Sequence, residues 1–459
     1  MRMLTVLIVV SMLAAAPAWA QTPRSERPYR GLFAGDTGNA EQLLTLSASF
    51  GGGYDDDISA NANAAPVGPN APRSSTYLNG SAQLGYSLAK STKSFSASFG
   101  AGGGHYPGLS EPNVVHYSGS VGGSIQVARH STFSLTQSET YQPFYLWSWL
   151  PTDVAPVEAM PAFDPGTMTI TDAVQAASLS TRPPLAADAV SASSAEYYLA
   201  SDTGVGYTQA LAQHLNLELS YGYRRSDSKS GARDYSSQSG SGRLSYNVGK
   251  GVALVGGYGY SDTQYSAGNG QVVHYQGHLI DGGVNYNKAL SFSRRTTLGF
   301  QTGLAGVQDG IQTHYSVVGN AQLTHELGRS WSTGLGYARS VSYVETFRAP
   351  VLTDSLSGGI GGLINRATQF HASTGVSRGN VGYTVNNTFD TYFASAGARF
   401  AISRKTGLSV YYGYYRYSFE NGIVLPPGVS SFTNRQSVGF SFDTWLPLIQ
   451  RNRSANATR

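Results

Sequence analysis

Nine histidines, 27 acidic residues and no cysteine are the chain's stock of groups that could do chemistry. His274 and His278 come nearest to a metal site. On a strand, four residues separate them by about 13 Å, too far to share one ion. His278 is close in sequence to Asp281 but of opposite parity. His116, His314, His325 and His371 have no partner at a ligand spacing. No Gly-x-Ser-x-Gly elbow at a strand-to-helix turn offers an activated serine. Gly100 to Gly104 closes an alternating segment instead of opening a helix. Its glycines therefore read as room for curvature or close packing, not as a phosphate loop. Asp55, Asp56 and Asp57 could hold a divalent ion weakly, and a solvated loop start is the preferred reading. The expectation is no enzyme, no cofactor and no metal.

The elements that position these residues follow from composition. The 459 residues include 55 glycines and 30 tyrosines, and only 13% are charged, against about 25% in ordinary soluble domains. A disordered chain would have few aromatics and much charge. A helical bundle would carry far less Gly and Tyr. A disulfide scaffold needs cysteine. The net charge of +4 comes without a basic block, which argues against nucleic acid. A large all-β protein remains.

Met1-Arg2-Met3, the apolar run from Leu4 to Ala16 and the Ala18-Trp19-Ala20 ending have the form of a secretory signal, cut after Ala20. Residues 1–20 are thus expected to be removed, and 21–41 to form a short periplasmic segment. No other stretch nears the length of a spanning helix. If the exported chain meets a membrane, it must cross it as a β-barrel.

Alternation dominates the rest. Leu44, Leu46, Ala48, Phe50 and Tyr54 share one parity, as do Leu215, Leu217, Leu219, Tyr221 and Tyr223, and Tyr315, Val317, Ala321 and Leu323. The other parity is small and polar, which is the period-two mark of strands with one apolar face. Short connections are expected near residues 89–91, 128–130, 213–214, 249–251, 287–288, 327–329, 377–380 and 403–405. Longer segments lie between them, among them 55–73, 142–194, 346–362 and 420–432. Short turns at one end and long loops at the other are the pattern of an outer-membrane barrel. These turns give an all-β transmembrane antiparallel β-barrel of about 18 strands over residues 42–448, with 16 the alternative. Residues 449–459 are a polar tail. Tyr86, Tyr246 and Tyr286 precede short turns, and Tyr54, Tyr221, Tyr258, Tyr337 and Tyr412 sit at loop ends, as two membrane girdles would.

The pattern resembles the porin-like outer-membrane β-barrel proteins of Gram-negative bacteria over nearly all of the mature chain. The last strand, Ser437 to Phe442 with Trp445 and Leu446, resembles the aromatic C-terminal signal read by the barrel assembly machinery, although here the chain continues to Arg459. Ser291 to Leu298 and Trp445 to Leu448 are similar to barrels of exopolysaccharide gene clusters. About twenty residues before the first strand leave no room for a plug, and the expectation is one barrel with its loops.

The resemblance implies a bacterial outer-membrane location and a pore for passive diffusion of small polar solutes. An accessory barrel for exopolysaccharide export, and a structural or adhesive barrel, are the alternatives. Outer-membrane lipid, the assembly machinery, and a small polar solute or polysaccharide are the expected partners. A homo-oligomer is compatible with the resemblance, and no trimer face is legible.

A barrel this wide cannot be filled by side chains, so its inward parity should line an aqueous lumen. Glu218, Arg243, Asp281 and Arg399 are the candidate lumen charges, with structural pairing across the wall the blander role for each. In general porins the third loop narrows the lumen. Here it spans 142–194 and carries Tyr145, Trp147, Trp149, Asp153, Glu158 and Asp164. Acidic groups there would favour cations, and rings would offer faces to sugars. A loop packed over the mouth is the alternative.

Overall fold

A computed structural model describes residues 40–56, 74–90, 92–105, 107, 113–143, 197–228, 234–249, 251–266, 272–290, 293–309, 312–328, 330–344, 349–383, 387–403, 405–420, 422–423 and 431–452. They form eighteen strands: β1 (Ala40–Asp55), β2 (Ser75–Ala89), β3 (Lys93–His105), β4 (Asn113–Ala128), β5 (Ser131–Pro143), β6 (Tyr197–Ala212), β7 (Leu215–Ser228), β8 (Tyr235–Gly249), β9 (Val252–Ser266), β10 (Val272–Leu290), β11 (Ser293–Asp309), β12 (Gln312–Leu327), β13 (Trp331–Val344), β14 (Ala349–Asn365), β15 (Thr368–Val381), β16 (Thr388–Ala401), β17 (Thr406–Phe419) and β18 (Phe432–Asn452). Each strand pairs antiparallel with its sequence neighbours, and β1 closes the ring by pairing with β18. Closure leaves no sheet edge, which is the condition for a sheet to cross a membrane.

Period two then sorts the side chains. In β1, Leu44, Leu46, Ala48, Phe50 and Tyr54 point outward, and Phe50 is 63% exposed. Exposed Leu84, Phe99, Val121, Leu135, Leu219, Leu254, Val317, Leu335 and Phe440 continue this apolar face around the ring. Tyr54, Tyr117, Tyr141, Tyr260 and Tyr392 lie on it toward the loop ends and Tyr246 near a short turn, whereas Tyr221, Tyr258, Tyr337 and Tyr412, expected at loop ends, lie at mid-strand. An apolar face of this extent, bounded by amphipathic rings, is stable only against lipid.

The turns corrected two expectations. The polar run 377–380 lies inside β15, and the segment 346–362 lies mostly inside β14. The real turn is Arg366-Ala367. The Asn365 side chain makes it by accepting the Ala367 amide at 2.8 Å, an Asx turn. Arg378 instead points outward near the rim, 3.8 Å from Asp390 on β16. The turn placed at 287–288 lies inside β10, which runs on to Leu290 before β11 starts at Ser293, and β10 carries two extra residues opposite β11 between Ile280 and Tyr286. The strand number was unaffected, because both displaced turns were still turns at the same end of the barrel.

Candidate functional site

The inward parity makes most of its polarity without charge. Serines face each other across adjacent strands: Ser49 and Ser81 at 2.8 Å, Ser98 and Ser120 at 2.7 Å, Ser220 and Ser241 at 2.7 Å, Ser373 and Ser395 at 2.7 Å. Each hydroxyl can donate to its partner and still accept from water.

The lumen charges are more ordered than their sequence positions suggest. Glu218 on β7 is the register partner of Arg243 on β8, Arg243 pairs with Gly257 on β9, and Gly257 pairs with Asp281 on β10. Three of the four expected charges therefore share one inward row across neighbouring strands. Gly257 leaves a gap in that row. A Cβ there would come 2.8 Å from the Gly242 carbonyl oxygen and 3.2 Å from Arg243 Cα. Glu218 is exposed. Asp281 is described by its backbone position alone. Arg399 stands apart on β16, 3.9 Å from Asp443. The Asp443 carboxylate accepts from Ser409 at 2.6 Å and Ser441 at 3.1 Å. Arg399 thus takes the structural pairing expected as the blander alternative.

Toward the loop ends the interior changes character, and the uniformly small, polar lining is corrected there. Val351, Val381, Phe389, Tyr417, Phe419 and Ile423 form one buried cluster, and Tyr235, Tyr265 and Tyr275 form another. Phe389 and Phe419 stand 5.8 Å apart, Tyr417 and Phe419 5.2 Å. Asp55 belongs to this level. It is fully buried and paired two-pronged with Arg435, whose Nε lies 2.8 Å from Asp55 Oδ2 and 2.9 Å from Oδ1. Asp56 accepts the Gln436 amide at 2.6 Å. The solvated loop start is thereby corrected: the two described aspartates clamp β1 to β18. Asp57 lies outside the described residues.

The histidines scatter, and among the described residues no three His, Asp or Glu side chains group as metal ligands. His278 faces outward between Tyr258 and Tyr260, with its Nδ1 2.7 Å from the Tyr258 hydroxyl. His325 Nδ1 meets Thr296 at 2.8 Å. His314 stacks nearly parallel on Tyr383, centroids 4.8 Å apart. Tyr383 sits in the turn after β15 at φ 57°, an uncommon and strained conformation for so bulky a residue. Burial raises its phenol pKa.

No protein-family model matches the sequence, and no curated protein does. Among solved structures, OccK7 (OpdD) of Pseudomonas aeruginosa is similar at 12% identity and a TM-score of 0.46, covering 90% of this chain and 100% of that one. OccK2 (OpdF) of Pseudomonas aeruginosa, in complex with glucuronate, is similar at 10% identity and a TM-score of 0.45, covering 89% and 99%. The ferric-catecholate import receptor Fiu of E. coli K12 is similar at 9% identity and a TM-score of 0.42, covering 88% and 81%. Likenesses this loose carry no argument about activity. The class is decided by the wall itself, closed on eighteen strands, apolar outside and polar inside. The chain is an outer-membrane β-barrel.

The third-loop residues Tyr145, Trp147, Trp149, Asp153, Glu158 and Asp164 lie outside the described residues of this outer-membrane barrel, as does the signal segment. Sequence reasoning missed Arg435 and Tyr77. Both sit on the inward parity and bond a side chain far away in sequence, Arg435 to Asp55 across 380 residues and Tyr77 to Tyr411 across 334, which leaves no local signal. Parity alone could have placed Arg435 inside.

Proposed function

We propose that the chain forms a passive, water-filled pore for small polar solutes across the outer membrane. One observation carries this reading: a closed eighteen-strand ring presents hydroxyls and an exposed Glu218 beside Arg243 to its interior, behind an apolar exterior. Charged side chains on the lumen side of a barrel this wide stay hydrated only by water in the lumen. The reading makes the chain a conduit and not an enzyme. It assigns the filter to the third loop, whose Asp153, Glu158 and Asp164 would favour cations.

Liposome swelling tests this directly. Vesicles reconstituted with the refolded protein should swell in iso-osmotic arabinose or serine faster than protein-free vesicles, and the rate should fall as solute size rises. Vesicles holding heat-modifiable, folded barrel that swell no faster than empty ones would contradict a passive pore.

A further inference from the structure

The inner wall between β15 and β2 carries rings and glycines in alternation. Along one row of register partners stand His371, Gly397, Tyr411, Gly439, Gly53 and Tyr77. A Cβ at Gly397 would run into the His371 ring, and one at Gly439 into the Tyr411 ring. Higher on the same wall, Phe393 lies over Gly375 in the same manner, and its register partner on β17 is Tyr415. Glycine is what allows each ring to lie along the wall instead of standing off it. A ring laid flat turns a face toward the lumen. His371, Phe393, Tyr411 and Tyr415 are all partly exposed.

The rings ascend. His371 lies three residues from the turn end of β15 and Tyr411 five residues from the turn end of β17, whereas Tyr77 is near the loop end of β2. Tyr77 is buried at 2% exposure, and its hydroxyl meets that of Tyr411 at 2.9 Å. It is therefore a positioning residue for Tyr411. Between the two levels of rings runs a row of Ser373, Ser395, Gly413 and Ser437. The charges of Glu218, Arg243 and Asp281 belong to β7, β8 and β10, on another part of the ring.

We propose that this wall is a binding track for neutral saccharides, formed by His371, Phe393, Tyr411 and Tyr415. The axial C–H face of a pyranose is apolar and packs on an aromatic face, while its equatorial hydroxyls reach the serine row between the rings. The row of Glu218, Arg243 and Asp281 does not touch this track, and Arg399, one row below it on β16, is paired with Asp443, so the lining suits uncharged, ring-shaped solutes. The proposal rests on the pore reading above and deepens it.

Maltotriose is the probe, with sorbitol as a polyol lacking a ring. In planar bilayers, maltotriose should reduce the ion current through wild-type channels in a saturable way, and sorbitol should not. Phe393→Ser and Tyr411→Ser should weaken the maltotriose effect by about tenfold without lowering the conductance in salt alone. Tyr411→Phe keeps the ring and should retain most of the effect. Calorimetric titration of the folded barrel in detergent separates this claim from the pore. Saccharide binding with no current would overturn the pore and support the track. Steady current with no maltotriose effect, or an effect unchanged in both serine variants, would overturn the track and leave the pore standing.

Discussion

At the scale of residues, two groups of charges have opposite fates. Asp55 and Arg435 are both buried, at 0% and 3% side-chain exposure. A buried pair is weak evidence for net stabilisation, but removing one member strands the other charge, at a cost of about 3–5 kcal/mol. Arg435→Met should therefore lower the urea midpoint of the refolded barrel markedly. The double variant with Asp55→Leu should recover most of the loss, and equal loss in both would show that the pair is not the cause. Glu218 is instead exposed on the inward face, and its register partner Arg243 is half-buried. Neutralising Glu218 to Gln should shift the reversal potential toward anions, and Arg243→Gln should shift it toward cations, each by a modest amount that shrinks at high salt. Shifts of the same sign would contradict a lumen position for one of them. Parity alone made Glu218, Arg243 and Arg399 legible as inward residues. What it could not supply was register, so neither the shared row through Gly257 nor the Arg399–Asp443 pair was visible beforehand.

Elements show why glycine is so abundant and which glycines matter. Gly439 on β18 lies under the Tyr411 ring and beside the Tyr77 hydroxyl, whereas Gly256 on β9 has nothing within 4 Å of where a Cβ would sit. Gly439→Ala should cost about 1–3 kcal/mol through overpacking. Gly256→Ala should be neutral, or stabilising by about 0.4–1 kcal/mol through the unfolded chain. Unfolding in urea compares the two directly, and equal midpoints would mean that the rings yield freely. The elements also mark where sequence reading stops. Strand existence and facing were legible because lipid on one side enforces strict alternation. The β14–β15 boundary was not. Ser377, Arg378, Gly379 and Asn380 have turn chemistry by composition, yet Arg378 stands near the rim beside Asp390 and Gly379 makes room for the Phe389 ring. The Asx turn at Asn365 carries no stronger local signal than the rejected stretch.

The whole molecule is a ring whose ends are its first and last strands. β1 and β18 pair from Ala40 with Asn452 to Asp55 with Ser437. The seam is held at the loop end by Asp55 with Arg435, and across it by Tyr77 with Tyr411. A barrel closed this way presents an apolar exterior to lipid, and toward the loops its interior carries two buried clusters rich in rings. In the proposed pore, water passes the hydroxyl-lined level and this aromatic level, and the third loop is the proposed filter. The most direct test is single-channel conductance of the refolded protein in a planar bilayer, with residues 150–190 present and removed. The account predicts steady ohmic current from the intact protein, and a larger current when the segment is removed. Silence from both forms, with the folded barrel confirmed by its heat-modifiable mobility, would contradict it.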